Sequence, residues 1–210
     1  MALRRSAHTV LGCGLAFALY LGANGIAAAR QESAAPLGID TARVTIAGTS
    51  NIHAYTASTT VVRVTRAQLA AGIAGPNFWE GIVKLGALEA FEVAIPAANL
   101  ASPKEGLDKN MHKALKVEQH PDITFRLLRI EPAAAGALKA VGLLKIAGVE
   151  HEVALAIKTQ RVESGLAVKG DLTLLMTDYG IKPPTAMLGM LKTDPKVTVT
   201  FETVVAVPLT

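Results

Sequence analysis

Two stretches decide the fold: LKAVGLLKIAGVEHEVALAIKTQRVESGLAVKGDLTLLMT, Leu138–Thr177, and VTVTFETVVAV, Val197–Val207. Both alternate with period two. Gly142, Leu144 and Ile146 lie on one side of the first run, with Val141, Leu143 and Lys145 on the other. Past Gly148, Val153, Leu155 and Ile157 alternate with Ala154, Ala156 and Lys158. Next come Leu166, Val168, Leu172, Leu174 and Met176 against Lys169, Asp171, Thr173 and Thr177. In the last run Val197, Val199, Phe201 and Val205 face away from Thr198, Thr200 and Glu202. Successive side chains of a strand point to opposite faces, so these are four antiparallel strands with one apolar face. The function is expected to use a β surface.

Working outward, Ile123, Phe125 and Leu127 form another strand after the turn His120-Pro121-Asp122. Ala42–Tyr55, broken at Gly48, and Thr59–Arg66 read as the first two strands, and Lys84–Ile95, ended by Pro96, as the third. Ala70–Glu80, with Gly72, Gly75 and Pro76, reads as a loop that also carries Phe78 and Trp79. Only Pro103–Val117 has a helical period, with Leu107, Met111 and Leu115 four apart and Ser102 placed to cap. About eight antiparallel strands leave a barrel or a two-sheet sandwich. The long strand expected over Glu163–Thr177, and a helix able to cover one mouth, favour the barrel.

The ends divide the chain further. Arg4 and Arg5, the apolar run Val10–Leu21 and Ala27-Ala28-Ala29 form a secretory signal pattern, cut most simply after Ala29. Glycines at 12, 14, 22 and 25 make the run a weak membrane span. This gives a signal peptide over 1–29, an exposed leader over 30–41 and one domain over 42–210, in a periplasmic protein. Cys13, the one cysteine, has most of the apolar run after it, whereas a lipid anchor needs that run before it. Its removal leaves neither disulfides nor thiol chemistry. Losing Arg4 and Arg5 leaves 19 basic residues against 17 acidic, without blocks of like charge. Nothing therefore points to nucleic acid or an anionic surface.

Chemistry is sparse. His53, His112, His120 and His151 include no pair at the spacing that would place two imidazoles on one metal, so no metal or other cofactor is expected. No serine sits in a nucleophile elbow. Asp108 and Glu105 could orient His112, although pairs at helical spacing are more often surface partners. Met111, Leu115, Met176, Met187, Leu188, Met190 and Leu191 would suit a conforming ligand wall, but composition alone favours a packed core.

Several segments together resemble the YceI-like proteins. The hairpin from Leu138 through Ile146-Ala-Gly-Val149 to Leu155 is similar to theirs, as are Asp178-Tyr-Gly-Ile181 and the final strand Asp194-Pro-Lys-Val-Thr-Val199. His120-Pro-Asp-Ile-Thr-Phe125, preceded by a helix with Asp108, Met111 and Leu115, resembles their proline-led strand. Gly48–His53 resembles a first-strand motif of one branch. The ordered likeness runs from Val44 to Val207. It departs at Lys109-Asn-Met-His112, at His120 and at Lys182-Pro-Pro184 with Met187–Leu191, where a differently shaped mouth is expected.

The resemblance implies a lipocalin-like barrel that binds an isoprenoid lipid, of polyisoprenoid or isoprenoid-quinone type, without catalysis. Strand parity then nominates Phe91, Val93, Ile123, Phe125, Leu172, Leu174, Met176, Val199 and Phe201 for the lumen, with Met111 and Leu115 closing one end. Two other readings stand beside it. One is a filled barrel acting through its surface in a stress or adhesion complex. The other, ranked last, is a hydrolase-type enzyme using His112. A homodimer is left open, and protein partners are unknown.

Overall fold

The computed structural model describes residues 36–186 and 190–208. The signal-peptide reading of 1–29 lies outside them, and so do residues 30–35 of the leader and Met187–Gly189. The elements are β1 Gly38–Ser50, β2 Ala54–Thr59, β3 Arg63–Leu69, α1 Phe78–Ile82, β4 Leu88–Pro96 and α2 Glu105–Ala114. They continue with β5 Asp122–Pro132, β6 Leu138–Ile146, β7 Val149–Val162, β8 Gly165–Leu175, β9 Thr185–Ala186 and β10 Leu191–Ala206. Every strand pairing is antiparallel, in the order β2-β1-β10-β8-β7-β6-β5-β4-β3. The two-residue β9 pairs with the start of β10.

The sheet curls into a barrel, and its closure explains the count of eight. Alternating directions along the order make β2 and β3 run the same way, separated only by residues 60–62. They are one bent strand that changes partner. Its first half pairs with β1, Val44 to Thr59 through Thr49 to Ala54. Its second half pairs with β4, Arg63 to Ala94 through Leu69 to Leu88. The free edge of β2 is sealed by Ala101, which exchanges backbone hydrogen bonds of 2.8 and 3.0 Å with Ser58.

Turns follow the local sequence. Ala147 and Gly148, both at positive φ (49° and 87°), make the two-residue β6–β7 hairpin, because that backbone sense matches the strand twist. A Cβ at Gly148 would stand 2.6 Å from the His120 ring, so glycine also makes room for packing. A buried cluster lies at the α2 end, formed by Ala97, Leu100, Leu115, Ile146, Ala147, Tyr179 and Ile181.

Several sequence expectations need correction. The first strand breaks at Asn51–His53, not at Gly48, and the expected second strand straddles the corner between β2 and β3. The leader is not exposed throughout: Leu37 is 1% exposed and β1 begins at Gly38. A ladder irregularity between Ile39 and Thr41 breaks the alternation there, which hides the strand from a period-two reading. There is a second helix, α1, where a loop was expected. The strand over Glu163–Thr177 is shorter, since Met176–Tyr179 turns as a 3-10 helix. Ser102 does not cap α2. The N-cap is Lys104, and the Ser102 hydroxyl donates to the Lys104 carbonyl at 3.1 Å.

Candidate functional site

The strand faces set the chemistry of the lumen. Leu144 and Ile146 of β6, Leu155 and Ile157 of β7, Leu172 and Leu174 of β8, and Val199 and Phe201 of β10 all point inward. The opposite faces carry polar pairs in register, including Lys169–Glu202 at 3.2 Å and Thr173–Thr198 at 3.3 Å. Such exposed pairs each contribute roughly 0.2–1 kcal/mol.

What keeps the interior open is a pairing of aromatics with glycines. Phe201 faces Gly170 across the β8–β10 ladder, and a Cβ at 170 would stand 2.7 Å from the ring. Phe125 lies on Gly142 of β6 in the same way, where a Cβ would be 2.4 Å from the ring. At the mouth the Tyr55 ring lies on Gly48. The tip of each ring lies over a glycine, where a side chain would otherwise displace it. Two large inward phenylalanines thus leave space.

That space forms two cavities. The inner one, about 250 Å³, runs from Leu37 and Ile82 at one end to Ile146 and Leu174. Among its described lining side chains only Thr159 and Thr203 are polar. The outer one, about 500 Å³, lies between α2 and the strand ends, and has a polar rim that includes Ser50, His53, Tyr55, Lys104, Asn110 and Thr193. Ile46, Ile123, Ile146, Leu174 and Val199 border both cavities and form a waist between them. Ligand pockets of about 300–1,000 Å³ are mostly apolar with a few polar groups that fix orientation, and this pair has that character.

The structure places every nominated lumen residue on a cavity wall. Phe91, Val93, Ile123, Phe125, Leu172, Leu174, Val199 and Phe201 line the inner cavity. Met111, Leu115 and Met176 line the outer one. A filled barrel, the alternative reading, would have neither cavity. Strand parity did not supply Ile82, the last residue of α1, and its C-cap Val83, which also line the inner cavity. A five-residue helix is too short to show a period. Leu155 and Ile157, which alternate inward on β7, also line the inner cavity.

The titratable groups have structural work. His112 donates from Nε2 to the Leu100 carbonyl at 2.9 Å, since a carbonyl can only accept. The Asp108 carboxylate accepts the Ser102 backbone N–H at 2.8 Å rather than orienting His112. His151 donates from Nε2 to the Asp178 carbonyl at 2.9 Å and stands edge-on to Tyr179. Among the described residues no three His, Cys, Asp or Glu side chains converge as a metal site. Burial first, and the Asp194 carboxylate second, raise the Tyr55 hydroxyl above its ordinary 10.0, so it remains a donor at the mouth.

Known structures share this architecture. BcnA of Burkholderia cenocepacia is similar with a TM-score of 0.61 at 13% identity, over 79% of this chain and 96% of that one. A polyisoprenoid-binding domain from Saccharophagus degradans, implicated in plant cell wall breakdown, gives 0.61 at 13% identity over 83% and 99%. The Campylobacter jejuni YceI protein gives 0.52 at 16% identity over 71% and 82%. At these identities the likeness shows the fold. No curated protein sequence matches. The model of the YceI-like domain matches residues 39–205, well over half of the chain and all of its long strands, and the chain therefore belongs to the YceI-like domain family.

Proposed function

We propose that this protein is a non-catalytic periplasmic carrier that holds an isoprenoid lipid, of polyisoprenoid or isoprenoid-quinone type, in the barrel lumen. The observation that carries the reading is the inner cavity, apolar apart from two threonines and kept open by the Phe201–Gly170 and Phe125–Gly142 contacts. An apolar chain leaving water for such a wall gains roughly 25 cal/mol per Å² of buried area. The inner cavity takes the tail, the waist grips it, and the outer cavity holds the polar head under α2. The polyisoprenoid-binding neighbour supports the ligand class, and the basic-apolar-small pattern before Arg30 supports export. No reaction is assigned, because His112 and Asp108 are engaged in holding α2 to residues 100–102.

The test is binding of an added isoprenoid quinone, followed together with the mass of the gently purified protein. Saturable binding of one molecule is expected. A protein that carries no isoprenoid-sized ligand and binds none when offered is not this carrier.

A further inference from the structure

Two large apolar side chains stand in water on one lip of the outer cavity. Ile52 is 57% exposed and Met190 is 66% exposed. Ile52 lies in the β1–β2 turn between Ser50 and His53, which both line that cavity, and Met190 leads into β10 ahead of Thr193, another lining residue. Hydrogen bonds clamp the two segments together. The Asn51 side chain donates to the Met190 carbonyl at 2.8 Å and accepts the Lys192 N–H at 2.8 Å. The Asn51 N–H donates to the Lys192 carbonyl at 3.1 Å. The turn is also tied internally, because the Ser50 hydroxyl donates to the His53 carbonyl at 2.9 Å and accepts the N–H groups of Ile52 and His53. Neither Ile52 nor Met190 lines a cavity.

Single exposed apolar residues are ordinary on a protein surface. Here a pair is held outward on a hydrogen-bonded lip, beside the opening of a largely apolar cavity. Cations surround it. Lys192 follows Met190 on the lip, and Lys182 precedes Pro184, whose carbonyl accepts the Thr193 N–H at 3.2 Å. Lys104 lines the cavity from the α2 side. All three lysines are exposed, and among the described residues none is in an ion pair. The carboxylates facing them are those of Glu105 and Asp194, and Asp194 already accepts the Lys196 N–H at 2.7 Å. The near balance of charge along the whole chain conceals this local arrangement. Apolar side chains ringed by cations suit the interface of an anionic bilayer, the apolar groups sinking among the acyl chains and the cations pairing with head groups.

We infer that the lip of Ile52 and Met190, with Lys104, Lys182 and Lys192, docks the protein on an anionic lipid bilayer with the outer cavity facing the membrane. This rests on the lumen reading above, which gives the docking its purpose. A ligand head lies at the bilayer interface, the level at which the polar rim meets it, so loading moves only the tail, from the bilayer core into the lumen. Docking sets how fast the ligand is taken from a membrane, whereas the cavities set how tightly it is held.

The test is flotation of the protein with vesicles of phosphatidylcholine, alone or with added phosphatidylglycerol, together with uptake of a long-chain isoprenoid quinone carried in the same vesicles. Flotation is expected with the anionic vesicles and is expected to weaken as salt is raised. Ile52→Asp with Met190→Asp is expected to lower vesicle affinity by about tenfold or more and to slow uptake in step. Lys182→Gln with Lys192→Gln is expected to lower it by roughly fivefold per lysine. None of these four residues lines a cavity, so both variants should bind a short isoprenoid alcohol added from solution with the wild-type Kd, which also reports that they are folded. No flotation with anionic vesicles, equal flotation with neutral ones, or flotation that both variants retain overturns the docking surface and leaves the carrier standing. A wild-type dimer that the Ile52→Asp, Met190→Asp variant dissociates assigns the lip to a second copy of the chain and also overturns it. Loss of the short alcohol along with flotation makes the lip part of the fold rather than a docking surface. A wild-type protein that floats but takes up neither isoprenoid refutes the lumen reading, and the role of the lip in loading falls with it.

Discussion

The ring of Phe201 lies against Gly170, its direct partner across the β8–β10 ladder, so closely that a Cβ at 170 would stand 2.7 Å from it. The same Cβ would be 2.8 Å from the Ala156 carbonyl oxygen of β7. The ring is therefore accommodated by an absence, and the lumen remains open beside it. Gly170→Ala and Gly142→Ala are each expected to destabilise the protein by roughly 1–3 kcal/mol in urea unfolding, the usual cost of overpacking. Both variants should also lose capacity for a long isoprenoid as Phe201 or Phe125 turns inward. A variant of normal stability and normal capacity would show that the ring contact does not keep the lumen open.

The waist makes tail length a variable. Val199 borders both cavities, with Ile46 and Leu172 as its ladder partners. Val199→Trp is expected to weaken binding of a C20 isoprenoid by about tenfold or more, equivalent to 1.4 kcal/mol, while a C10 isoprenoid that fits one cavity binds as before. Equal losses for the two lengths would mean that the cavities do not act in series.

His112 separates the carrier from the hydrolase. His112→Ala removes the bond to the Leu100 carbonyl and is expected to cost about 1 kcal/mol of stability. Isoprenoid binding should persist, and hydrolysis of an isoprenyl ester should stay at background in wild type and variant alike. Wild-type turnover that vanishes in the variant would restore the enzymatic reading.

Two tyrosines predict the alkaline limit. Burial, then the neighbouring carboxylates of Asp194 and Asp178, raise Tyr55 and Tyr179 above the ordinary 10.0. A group whose folded value is raised contributes stability that is full below its unfolded value and is lost as pH rises through the folded one. Unfolding free energy is thus expected to fall only above about pH 10, together with the appearance of phenolate absorbance. Ionisation of both groups at or below pH 10 would contradict their burial.

The sequence made the second half of the barrel legible because β6, β7, β8 and β10 are long and alternate cleanly, and short turns join the first three. Elsewhere the physical signal was broken. The irregularity near Asp40 shifted the parity of β1, so Ile39 and Ala42 both line the lumen despite their odd spacing. The bent β2–β3 strand changes partner at residues 60–62, an event that no local period records. α1 is shorter than two helical turns. The openness of the lumen was illegible for a different reason. Phe201 and Gly170 are distant in sequence and meet only across a ladder. Parity shows that Phe201 faces inward, and only the pairing shows that its ring tip lies over Gly170.

The most direct test of the account is native mass spectrometry of the protein isolated without detergent extraction, before and after addition of an isoprenoid quinone. The account predicts one bound molecule per chain of isoprenoid mass, retained from the source or taken up on addition, and displaced by a second isoprenoid of similar length. A chain that stays at its bare mass under both conditions, with its fold intact by circular dichroism, would contradict it.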